Sequence, residues 1–172
     1  PLSVGRLGRA KSPFAGRIGL DGNRTETWLS DIARSPLFSK ADLRVAPASP
    51  GKAERLLPLL ATSNATIYVN LEEAGLRCQA DFADAPQAAA ALLERGSAQV
   101  LVTDGGKVAA HASANGIVTA APPQVLVTRV TGAGDTFMAA HIAAEIRDET
   151  AEQALNTALR AAANYVSGDV PS

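Results

Sequence analysis

The stretch PPQVLVTRVTGAGDTFMAAHIAAEIRD, residues 122–148, constrains the fold more than any other. A β-rich run at 125–128 leads through a polar turn to Thr131-Gly132-Ala133-Gly134-Asp135, and a helical pattern opens at Thr136. Strand, glycine turn and helix start in that order build a place to hold an anion. Glycine permits a tight turn and close backbone approach. The first amides of a helix lack partners within it and can point at a ligand. A carboxylate beside an anion needs a reason, and a general base for a hydroxyl supplies one for Asp135.

The rest of the chain predicts the layers around that turn. Trp28, Leu29 and Ile32 recur at helical spacing within 25–34, and Ser35-Pro36 ends that helix. Short strands are expected at 43–46, 66–69, 100–103 and 125–128. Helices are expected at 52–60, bent by Pro58, at 87–95 after Asp84 and Pro86, at 136–146 and at 151–165. Strands alternating with helices mean an α/β layered fold, in which ligands gather beyond the carboxyl ends of the strands. Residues 1–20 carry Arg6, Arg9, Lys11 and Arg17 with no acidic residue and no clean period. They read as a basic loop before an α/β domain at 21–172.

Two further clusters fall at strand ends. Asn70 and Glu73 follow the 66–69 strand. They can hold water around Mg²⁺, or serve as a helix cap and its capping-box partner. Asp104-Gly105-Gly106-Lys107 follows the 100–103 strand. It suits a ribose or phosphates, or makes an ordinary hairpin turn into 108–112. His111 stands without a second histidine near it, so it is not expected to bind metal. His141 lies off the face of Asp135 and reads as packing or surface.

Composition excludes several classes. Sixteen basic and 17 acidic residues leave a net charge of -1, which disfavours nucleic acid or an anionic membrane as partner. The single cysteine cannot form an internal disulfide, which suits a reducing, cytoplasmic location. No apolar run reaches membrane-span length, and no secretory leader is expected.

Thr131-Gly132-Ala133-Gly134-Asp135-Thr136-Phe137 resembles the signature of the ribokinase-like (PfkB) carbohydrate and nucleoside kinases. Asn70-Leu71-Glu72-Glu73 resembles that family's Asn-x-x-Glu element, and Val102-Thr103-Asp104-Gly105-Gly106 its nucleotide-side strand and turn. The three come in the family's order. The resemblance implies a ribokinase-like sheet flanked by helices and transfer of the terminal phosphoryl of ATP to a sugar or nucleoside hydroxyl. It implies Asp135 as base, and an anion hole from the amides of Gly132, Ala133 and Gly134. It implies Mg²⁺ organised by Asn70 and Glu73, and a nucleotide site at Thr103, Gly105, Asn156, Leu159 and Ala163. Residues 47–49, 52–56 and 130–139 are most similar to the pseudouridine kinase branch.

The chain departs from the family pattern at Arg129, Ala46 and Ala140, where Asp or Asn, Asp, and Gly are usual. The resemblance covers roughly residues 20–170 and matches only the carboxyl-terminal part of the family, without the amino-terminal half or the lid sheet. Exposed sheet edges would then favour association, including a homodimer. Two alternatives follow: a non-catalytic nucleotide-binding or oligomerising fragment, and a dinucleotide-dependent oxidoreductase. The second lacks its third glycine, since Phe137 stands there, and its motif comes late in the chain.

Overall fold

The computed structural model describes residues 12–21, 25–47 and 64–168. The expected helix at 52–60 and most of the expected basic loop lie outside them. Six strands form one sheet in sequence order: β1 (Ala15–Asp21), β2 (Lys40–Ala46), β3 (Ala65–Asn70), β4 (Gln99–Thr103), β5 (Ala109–Ser113) and β6 (Gly116–Ala120). The first four are parallel, and β5 and β6 return antiparallel. Helix α1 (Glu26–Arg34) joins β1 to β2, α2 (Leu71–Cys78) and α3 (Ala85–Glu94) join β3 to β4, and α4 (Ala133–Ile146) and α5 (Ala151–Ser167) follow β6.

Side-chain alternation explains why the central sheet is covered on both faces. Leu43, Val45, Ile67, Val69, Val100 and Val102 point to one side, where they pack with Leu29 and Ile32 of α1, Ala74 of α2, and Ala88, Ala89 and Leu92 of α3. Tyr68, Leu101 and Ala109 point to the other side, against Phe137 of α4 and Leu155, Ala158 and Leu159 of α5. Each buried Leu or Ile contributes about 1.5–3 kcal/mol. Ala85, Ala88 and Ala89 of α3 and Ala158 and Ala162 of α5 are contact residues of these two cores. Local signals set the helix ends: Thr25, Asn70, Asp84 and Thr150 each accept a first-turn amide as N-cap.

The second face also holds a buried polar cluster. Arg44 of β2, 5% exposed, bonds both carboxylate oxygens of Asp42 at 2.8 and 2.6 Å, donates to the Tyr68 hydroxyl at 3.1 Å, and pairs with Glu145 of α4. The Tyr68 hydroxyl lies 3.0 Å from Nδ1 of His141, which is fully buried. His141 is thus packing, one of its two expected roles. Its ring meets His111 edge-on at 5.2 Å. The cluster anchors α4, whose first turn carries Asp135, to three strands of the sheet.

Two elements differ from expectation. Residues 15–20, read as loop, belong to edge strand β1, whose Ile18 and Leu20 join the first core. Residues 125–128 are not a strand. They are β-prone, but among the described residues no strand pairs with them. Leu126 is 82% exposed, and the amide of Thr128 instead donates to the Val166 carbonyl of α5 at 2.8 Å.

Candidate active site

The glycine turn sits at the start of α4, which begins at Ala133, three residues earlier than its apolar pattern suggests. Gly132 is the N-cap at φ +93°, a left-handed conformation that favours glycine. Its carbonyl accepts both the amide and the hydroxyl of Thr136, at 3.0 and 2.9 Å. These bonds draw residues 133–135 into the first helical turn. Asp135 is therefore a first-turn carboxylate, exposed, near the positive end of the helix.

The amides of this turn are not equivalent. Ala133 donates to the Val130 carbonyl at 3.1 Å. The expected three-amide anion hole is thereby reduced, because a donor held by its own turn does not point outward. Gly134 and Asp135 follow Ala133 in the same first turn of α4. A Cβ built on Gly134 meets nothing within 4 Å, so a ligand can approach this backbone closely.

Beside the turn lies a cleft of about 360 Å³, within the size range of small-molecule sites. Its lining includes Thr103, Gly105, Ala133, Gly134, Leu159 and Ala163, six of the residues expected at the site. Gly106, Phe137, Ala162, Val166 and residues 122–125, 127 and 130 complete the wall. Gly105 adopts φ +55° in the β4–β5 turn, which Lys107 closes through its amide to the Asp104 carbonyl at 2.9 Å. The turn expected after the 100–103 strand is thus both a hairpin turn and part of the cleft. Of the residues missed, Ala162 and Val166 continue the Leu155–Leu159 stripe of α5, a signal the sequence did carry.

Asn156 is not at the cleft. It stands one turn before Leu159, and its side-chain amide folds back to the Glu152 carbonyl at 2.9 Å. Gly132 and Asp135 flank the cleft through their chain neighbours rather than lining it.

Asn70 and Glu73 form a capping box. The Asn70 side chain accepts the Glu73 amide at 2.8 Å, and Oε2 of Glu73 accepts the Asn70 amide at 2.9 Å. Burial raises the Glu73 pKa, opposed by the Asn70 hydrogen bond and by Arg77. Asn70 stands in register with Thr103, so the cap lies at the same carboxyl end of the sheet as the cleft. Among the described residues no group of three His, Cys, Asp or Glu side chains could enclose a metal ion. A Mg²⁺ ion held mainly by water and substrate phosphates needs only one or two protein carboxylates. A larger, more open depression of about 730 Å³ lies along α2 by Glu72, Gln79 and Asp104. It touches no residue of the glycine turn, so its size alone does not make it the site.

The model of the pfkB family carbohydrate kinases matches residues 19–168. Solved structures share the architecture. A carbohydrate kinase from Agrobacterium tumefaciens superposes with TM-score 0.74 at 23% identity, covering 98% of this chain and 54% of that one. A point mutant of phosphofructokinase-2 from Escherichia coli gives 0.75 at 17%, covering 90% and 52%. Adenosine kinase from Sinorhizobium meliloti gives 0.72 at 17%, covering 87% and 48%. The chain thus spans about half the length of these structures. No curated protein matches it. No helix among the described residues is long and apolar enough to cross a membrane.

Proposed function

Because the chain belongs to the pfkB family of carbohydrate kinases, we propose that it carries the phosphoryl-transfer side of an ATP-dependent kinase acting on a sugar or nucleoside hydroxyl. One observation carries this reading: the glycine turn and the apolar cleft are contiguous through Ala133 and Gly134. The base of a nucleotide fits among Val127, Leu159, Ala163 and Val166, and its phosphates extend to the turn.

Asp135 takes the proton of the acceptor hydroxyl as its oxygen bonds to the terminal phosphorus and the bond to the ADP oxygen breaks. The amides of Gly134 and Asp135 meet the charge that spreads over the transferring group, help that must be placed before the reaction begins. Asn70 and Glu73 would hold Mg²⁺, which when bound would neutralise charge on the phosphate oxygens. The pseudouridine branch rests on sequence similarity alone, and none of the similar structures named above is a pseudouridine kinase.

ATP consumption with Mg²⁺, measured against pseudouridine, other nucleosides, ribose and fructose, tests the reading. Acceptor-dependent turnover is expected. The chain's span, about half that of its structural relatives, favours a second reading: a nucleotide-binding portion that needs further polypeptide to hold an acceptor. ATP binding with silence across the whole panel selects that second reading. Loss of ATP binding in a folded sample sinks both.

A further inference from the structure

We infer that Arg129 and Tyr165 are positioning residues: they latch the carboxyl end of α5 onto residues 128–131 and so set the direction of the first-turn amides of α4. The inference rests on the phosphoryl-transfer reading of that turn.

Residues 121–132 have no ladder partner among the described residues to fix them. The end of α5 does so instead. The amide and hydroxyl of Thr128 donate to the Val166 carbonyl at 2.8 and 3.0 Å, and the Arg129 amide reaches the same oxygen at 3.2 Å. The Arg129 guanidinium lies 4.0 Å over the Tyr165 ring, and its Nε donates to the Tyr165 carbonyl at 2.7 Å. A cation is favourable at both places, over the negative face of a ring and at the negative end of a helix. The charge that departs from the family pattern at this position is therefore engaged by α5.

Tyr165 then reaches across. Its hydroxyl donates to the Thr131 carbonyl at 2.9 Å, one residue before the N-cap. A Cβ on Gly132 would lie 2.5 Å from that hydroxyl oxygen. The other end is equally close-fitting: Gly168 adopts φ +82°, and its Cβ would lie 3.2 Å from Oγ1 of Thr128. Both glycines are sites where the two segments touch backbone to side chain. Val166, the central acceptor, also lines the cleft. One set of contacts thus holds both the cleft wall and the anion-facing turn, and a preorganised donor needs such support.

The test compares the parent chain with Tyr165→Phe, which deletes only the hydroxyl, and Arg129→Ala. Arg160→Ala on the exposed side of α5 is the control. Amide hydrogen exchange is read over residues 129–137, alongside kcat and KM for ATP. Both latch variants should exchange about fivefold faster there, the factor one net hydrogen bond is worth, with β3 and β4 unchanged and the control like the parent. Tyr165→Phe should lower kcat about tenfold at nearly constant KM, the pattern of a lost transition-state contribution. Unchanged exchange over 129–137 in both variants overturns the latch. A higher KM with kcat intact overturns the positioning role in favour of a plain binding contact. Absence of ATP turnover in the parent removes the kinase reading alone, and the exchange arm still decides the latch.

Discussion

Two glycines of one motif should respond oppositely to alanine. At Gly132 the backbone is left-handed at φ +93°, which costs a non-glycine residue about 1–2 kcal/mol. The new Cβ would also sit 2.5 Å from the Tyr165 hydroxyl. Tyr165 must retreat, giving up its bond to the Thr131 carbonyl for a further ~0.5–1.5 kcal/mol. Gly132→Ala should therefore lose about 2.5 kcal/mol, or roughly 5–10 °C in Tm for a domain of this size. Gly134 has an ordinary helical φ and open space around its Cβ position. Gly134→Ala should be neutral or gain up to about 1 kcal/mol from helix propensity. It should nonetheless weaken ATP binding, because the methyl occupies the space a phosphate needs. Urea denaturation of the three proteins, with ATP titration by calorimetry, reads both effects. A Gly132→Ala midpoint within about 0.5 kcal/mol of the parent, or equal losses at both positions, would show that neither the left-handed backbone nor the Tyr165 contact constrains Gly132.

Glu73→Gln should keep the capping box and the parent's stability, since glutamine also serves at that position, while shifting the Mg²⁺ titration to higher concentration; an unchanged titration leaves Glu73 a cap only. Arg44→Met should destabilise by roughly 3–5 kcal/mol by leaving the Glu145 and Asp42 carboxylates without their shared cation, and the double variant with Glu145→Gln should recover part of it; a loss below about 1 kcal/mol would show the pair to be solvated. Burial, His111 and Arg44 push the His141 pKa down to about 3, although Glu145 stands 3.9 Å away. The folded state therefore binds fewer protons there than the unfolded one. Its contribution is full above the unfolded value of about 6.5 and is lost as pH falls towards 3, by up to ~1.4 kcal/mol per pH unit. The urea midpoint should fall from pH 6.5 to 4.5, less steeply in His141→Gln; parallel slopes would remove His141 as a cause.

Local patterns carried most of the fold. The alternation of Leu43 and Val45, of Ile67 and Val69, and of Val100 and Val102 marks central strands, and Thr25, Asn70, Asp84 and Thr150 announce helix starts. Strand β1 is hard to read from sequence because Gly16, Arg17 and Gly19 mask the period of Ile18 and Leu20. Residues 125–128 show the opposite error. A β-branched run expresses how well a segment suits a sheet, and strand formation also needs a neighbour with which to bond. The residues of the glycine turn were legible, but its hydrogen bonding was not, since Ala133 is tied off by Val130 within the turn itself. The cluster of Arg44, Tyr68, His141 and Glu145 is assembled from three distant segments, and no local spacing reports it. Tyr165 was hidden for the same reason: its partners lie more than 30 residues upstream.

The role proposed for Asp135 is to remove a proton from a hydroxyl acceptor at the start of α4. It is tested most directly by acceptor-dependent ATP turnover in Asp135→Asn beside the parent, at matched ATP occupancy. Near-parental ATP affinity is expected, with turnover reduced by about 10²–10⁴-fold, the usual worth of a positioned base. Turnover equal to the parent's would contradict it.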